Sequence, residues 1–421
     1  MKDDFLLERA QIKEDKELTF YLDRLDSVIP KVMDKLRPYI SNELADIHNS
    51  LACLYQDLPK DVRINIINHP FFCYYWVKLM EIFRDGKQAP LERWIQLFSR
   101  HLVIPFIQQG CWPSFPIPML VYNHEIRFPG HPRHIVLPNE VDEIVYLSLE
   151  KKCLLIKSHE QIYTISVKDL LEPTLNVESK HPFVKQRYTL VDGIELDAGD
   201  LLVEMLFNKM NSNERYKVYG YDLAAINPLS DEIYDNFQRA CALLKKVCPD
   251  YWEELLNYTK LIVPYTSKYS STFTESNYLG AVFMSEKRQS FSDEMYTAEH
   301  LLHEQSHLRL TLVLESDPIF FPEYSDNRYV SPFRQDQRPM LGIVHGAFVF
   351  SRMAVFLARG VKMGLGDKLK YRLEEVIDKL DRALEIIRLN CTFTDRGESL
   401  MAEMQRVVDT YQKEFNILIR S

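Results

Sequence analysis

Two histidines four residues apart, His303 and His307, enclose a glutamate in the pentapeptide His-Glu-Gln-Ser-His. On a helix both imidazoles leave the same face from successive turns, about 6 Å apart along the axis, so both can reach one metal ion. This is the H-E-x-x-H pattern, whose histidines bind metal and whose glutamate, here Glu304, commonly acts as general base. With 12 histidines in 421 residues, chance would produce it on the order of 2 times in 100 chains. The surrounding residues must decide.

They favour a site. Ser292 and Asp293 stand where an N-cap belongs, and Met295, Ala298, Leu301, Leu302 and Leu308 recur at helical steps with no breaker before Pro318. The run Tyr278 to Met284 just upstream predicts a strand leading into that helix. His300 shares the face one turn earlier; it is either a hydrated helix residue or a contact to a ligand or to the substrate.

A third ligand is needed. His345 lies in the apolar run Met340 to Phe350, a predicted helix that Pro339 opens at its first turn. Glu323, Asp326 and Asp336 in the intervening loop are rivals, and any of them would give a two-histidine, one-carboxylate face. Arg334 and Arg338 just precede the His345 helix, where guanidinium forks and free N–H groups can converge on a small carboxylate; the alternative is pairing with Asp326 or Asp336 on a solvated loop. His131 and His134 read as incidental histidines of a proline-containing turn.

The elements that must position these residues follow from pattern. The predicted class is α+β: a helical N-terminal region (residues 1–115), a β-rich middle (116–228) and a mainly helical C-terminal domain with the H-E-x-x-H helix (229–421). Apolar residues make up 46% of the chain and glycines number 13, enough to bury a sizeable core. A net charge of −9 without basic blocks argues against nucleic acid. The seven scattered cysteines lack a C-x-x-C pair and read as reduced thiols. The N-terminus is charged at once, and no apolar run is expected to reach the length of a membrane span, so the expected location is the cytoplasm.

Several ordered motifs add to this reading. Leu279-Gly-Ala-Val-Phe, the H-E-x-x-H helix, Ser331-Pro-Phe-Arg334, Arg338-Pro339, His345-Gly346 with Ala347 and Phe348, and Phe393-Thr-Asp-Arg-Gly397 occur in sequence between Ser270 and Leu400. Together they resemble the H-E-x-x-H proteins of gene clusters for ribosomally made, modified peptides, with Phe333 and Gln337 standing where Trp and Pro are more frequent. The resemblance implies an iron enzyme that uses 2-oxoglutarate and molecular oxygen to hydroxylate the β-carbon of a peptide residue. It also implies a fold unlike the double-stranded β-helix oxygenases. In that scheme His303, His307 and His345 hold Fe(II), Arg334 or Arg338 anchors the distal carboxylate of 2-oxoglutarate, and Glu304 fixes a ligand or a water. The rival is a zinc metallopeptidase in which Glu304 activates a metal-bound water and an arginine stabilises the oxyanion. A structural metal is the third reading, disfavoured because structural zinc usually has four protein ligands.

Overall fold

A computed structural model describes residues 16–36, 41–85, 96–138, 141–172, 181–213, 222–268, 272–286, 291–316, 319–322, 327–334 and 336–417. The chain is α+β in the expected order. Helices Lys16–Leu36, Asn42–Asp57, Lys60–Ile67, Pro70–Arg84 and Ser99–Gln109 come first, and the last ends on Gly110 in the left-handed region at φ 67°. The middle holds a four-stranded antiparallel sheet, Ile117–Leu120, Ile144–Glu150, Cys153–Ser158 and Gln161–Ser166, and a three-stranded one. Two short helices, Val167–Leu171 and Leu201–Ser212, also fall in that region.

A mixed sheet positions the site. Its core is the parallel trio Glu195–Leu196, Leu261–Thr266 and Ala281–Ser285, with Thr272–Phe273 antiparallel at one end. The residues of Leu261–Thr266 and Ala281–Ser285 alternate between two faces as in a twice-covered sheet. Leu261, Val263, Ala281 and Phe283 face a core shared with the N-terminal helices. Ile262, Val282 and Met284 face a second core, built with the C-terminal helices Asp231–Val247, Pro249–Tyr258, Glu294–Ser316, Met340–Lys362, Lys368–Asn390 and Asp395–Phe415. The sheet takes strands from both sides of residue 228.

The H-E-x-x-H helix Glu294–Ser316 runs between these cores. Leu308 and Leu312 pack into the first and Ala298, Leu301, Leu302 and Leu310 into the second. Asp293 caps it, accepting from the backbone N–H of Met295 at 3.0 Å and of Tyr296 at 3.1 Å. One expectation is corrected: the 23-residue helix Met340–Lys362 is long and apolar enough to cross a membrane. It is the central core helix, 78% buried over its most apolar window, and its apolarity reflects contact with protein on nearly every side.

Phe393-Thr-Asp-Arg-Gly397 is an architectural clasp. Strands Phe320–Pro322 and Cys391–Phe393 pair, Thr394 caps the last helix through the N–H of Gly397 at 3.1 Å, and a Cβ on Gly397 would run into the carbonyl oxygen of Ile319.

Candidate metal centre

The strand end at residues 272–276, the H-E-x-x-H helix and the loop before Met340–Lys362 enclose a cavity of about 390 Å³. Its walls carry His303, Glu304, His307, Arg334 and His345, together with Thr272, Thr274 and Leu308. Residues separated by up to 73 positions in the chain thus share one space of ordinary ligand-site size. The ring centroids of His303 and His307 are 5.0 Å apart and those of His307 and His345 are 5.4 Å apart. Two imidazoles on one ion with bonds near 2.1 Å place their centroids about 4.6–5.3 Å apart, a window that the His303–His307 spacing meets and the His307–His345 spacing slightly exceeds.

Nitrogen positions refine this. Nδ1 of His307 and Nδ1 of His345 are 3.2 Å apart. Burial is the largest cause that lowers the proton affinity of both rings, His307 to about 3 and His345 to about 4, so neither is cationic at neutral pH. Two lone pairs repel at that distance unless a proton or a cation lies between them. Two cis ligands with bonds of 2.0–2.1 Å stand about 3.0–3.4 Å apart, which matches. His303 is likewise driven neutral, first by burial and then by His307, His300, Arg334 and Arg372; neutral imidazole is the form that ligates. Nδ1 of His303 faces the sulfur of Met353 at 3.3 Å. Among the described residues, no group of three or more His, Cys, Asp or Glu side chains is placed to hold a metal ion. What the residues offer a metal is donor chemistry, three neutral imidazoles on one cavity, of which the His307–His345 nitrogen pair stands at ligand spacing.

The remaining residues separate. Glu304 is buried and its carboxyl is pushed up to about 7 by that burial, against the hydroxyls of Thr272 and Thr274 and the charge of Arg334, which lower it. Arg334 lines the cavity, whereas Arg338 lies on the strand Gln337–Pro339 with its Nε 2.8 Å from Asp336. Pro339 precedes the His345 helix as its N-cap in extended conformation. His300 turns Nδ1 to the carbonyl of Tyr296 at 2.9 Å and stacks on that ring, outside the cavity wall. Among the rival ligands, Asp336 is occupied by Arg338, and Glu323 and Asp326 lie outside the described residues. His131 is buried with Nε2 2.8 Å from the carbonyl of Leu170, and His134 is buried near Glu125, far in sequence and role from the cavity.

What aligns the helices was not read from the sequence. Glu254 is fully buried and receives Arg352 at 2.6 and 3.2 Å; Gln305, inside the H-E-x-x-H motif, donates to Glu254 and accepts from Arg352 at 3.0 Å. Arg372 adds a bond to Glu299 at 2.8 Å. The available signal was Arg352 itself, a charge in the apolar run Phe348 to Leu357 that requires a buried partner. Gly346 has a second positioning role, since an added Cβ would overlap the ring of Phe333, which packs 4.3 Å from the Phe350 ring and carries Arg334 behind it. A helical Gly→Ala change ordinarily stabilises by up to about 1 kcal/mol. Gly346→Ala should instead destabilise by about 1–3 kcal/mol through overpacking, with the sign restored in Gly346→Ala/Phe333→Ala. An unchanged or higher melting temperature in the single variant would show that the ring yields freely.

No protein-family model matches the sequence, and no curated protein matches it.

Proposed function

We propose that the protein is an Fe(II)- and 2-oxoglutarate-dependent oxygenase that hydroxylates a residue of a peptide, at its β-carbon, in the maturation of a ribosomally made precursor. The observation that carries this reading is that Arg334 lines the same cavity as three neutral histidines. His303, His307 and His345 would hold Fe(II), and the metal with its keto-acid cosubstrate would supply the oxidising chemistry. Arg334 binds the distal carboxylate, for which a guanidinium fork is the natural partner. Glu304, held by the hydroxyls of Thr272 and Thr274, orients a ligand or water at the wall. Leu279 and Leu308 supply an apolar wall for a substrate side chain and exclude water there. None of the seven cysteines is in a disulfide, which suits a cytoplasmic site of action.

One observation favours a second reading. A buried carboxyl with its proton affinity near neutrality is also what a zinc peptidase needs in a general base. Anaerobic titration of 2-oxoglutarate into iron-loaded protein separates the two. The visible band of the iron chelate is expected, with binding weakened in Arg334→Ala by about 1.5 kcal/mol, roughly tenfold, because this arginine is solvent-exposed before the ligand binds. Arg334→Lys should recover part of the loss and Arg338→Ala should bind as the parent does. No band at millimolar cosubstrate, with tight zinc binding and peptide cleavage, would overturn the oxygenase in favour of the peptidase.

A further inference from the structure

Met353 sits eight residues beyond His345 on the same helix, is 2% exposed, and brings its sulfur to 3.3 Å from Nδ1 of His303. We propose that Met353 is a positioning residue that holds His303 as the Nδ1–H tautomer and so leaves the Nε2 lone pair for the metal, an inference that rests on the three-histidine reading above.

The argument is chemical and geometric. A thioether sulfur carries lone pairs and no proton, so it can only accept, and the contact is attractive only when Nδ1 is the protonated nitrogen. The proton fixed there, the other ring nitrogen is the donor to a metal, the role that a carboxylate or carbonyl usually plays behind a ligating histidine. The contact is held from both sides. Arg352, next to Met353, and Gln305, two residues after His303, are joined to each other at 3.0 Å and to the same Glu254 carboxylate. Sliding either helix would therefore break a buried bond to Glu254, the Arg352 ion pair on one helix or the Gln305 hydrogen bond on the other, as it separated sulfur from ring.

The test uses the full chain. Met353→Leu keeps the volume and removes the acceptor, whereas Met353→Gln returns one through its amide oxygen. Zinc and cobalt affinities are measured by chelator competition, and long-range proton–nitrogen correlation spectra of histidine-labelled, metal-free protein report the tautomer of His303. Expected are an Nδ1-protonated His303 in the parent, a loss of about tenfold or more in metal affinity in Met353→Leu, and recovery to within about threefold in Met353→Gln. Parental affinity in Met353→Leu, or an Nε2-protonated His303 in the parent, would overturn the proposal. If the parent binds neither metal, the three-histidine reading fails by itself, and the tautomer in the parent and in Met353→Leu still decides what the sulfur does.

Discussion

His307→Ala protein is expected to bind no stoichiometric metal under conditions that saturate the parent. Structural zinc sites of four ligands bind with about 10–16 kcal/mol, so each ligand is worth about 3 kcal/mol, or roughly a hundredfold in affinity. His307 has the most to lose, because it lies between the other two rings, 5.0 Å from His303 and 5.4 Å from His345. His303→Ala and His345→Ala should behave alike, whereas Asp336→Ala, Glu323→Ala and Asp326→Ala should keep their metal. Metal content by mass spectrometry on anaerobically purified protein checks this. Retention of metal in His345→Ala with its loss in one of the carboxylate variants would replace the third ligand.

Arg352→Ala should be the most destabilising single change away from the cavity. It leaves Glu254, 1% exposed, with only the more distant guanidinium of Arg309 at 3.9 Å and costs Gln305 a bond, for about 3 kcal/mol. The effect is a broken pair, not the net worth of the pair, so replacing both partners by apolar residues should behave differently. Glu254→Leu/Arg352→Met is expected to recover only part of the stability: desolvating two charges roughly cancels their attraction, but buried Arg309 loses its carboxylate at 3.9 Å. It should nevertheless bind metal less tightly than the parent, since nothing polar then fixes the register of Gln305 against the helix that carries His345 and Met353. Chemical denaturation of the three proteins measures the first effect and chelator competition the second. A single variant as stable as the parent would mean that water reaches Glu254.

Much of this molecule is legible in its residues. Helical and alternating apolar spacing is a local property, so the helical start, the β-rich middle and the six C-terminal helices could be placed by pattern. A cap at Ser292 or Asp293, a strand within Tyr278 to Met284, which the structure trims to Ala281–Ser285 after a turn at Ser276–Tyr278, and His303 with His307 on one face belong to the same class, for each depends on neighbours within a few residues. No apolar run is expected to reach the length of a membrane span, yet the helix around His345 continues from Met340 to Lys362 through Arg352 and Arg359, because its length is set by packing in the core.

Tertiary structure alone decided the rest. Spacing could not rank Arg334 against Arg338, because both precede the same helix. The Gln337–Pro339 strand sends Arg338 to Asp336, and the Phe333–Gly346 contact leaves Arg334 on the cavity. Nor could it join Glu254 to Arg352 and Gln305, or Met353 to His303, since those pairs lie 98, 51 and 50 positions apart. Burial is set by three-dimensional packing, and burial holds the three imidazoles neutral and raises Glu304 to about 7. Sequence determined which groups were present; the packing of two cores around one polar helix determined which of them meet, and in what protonation state.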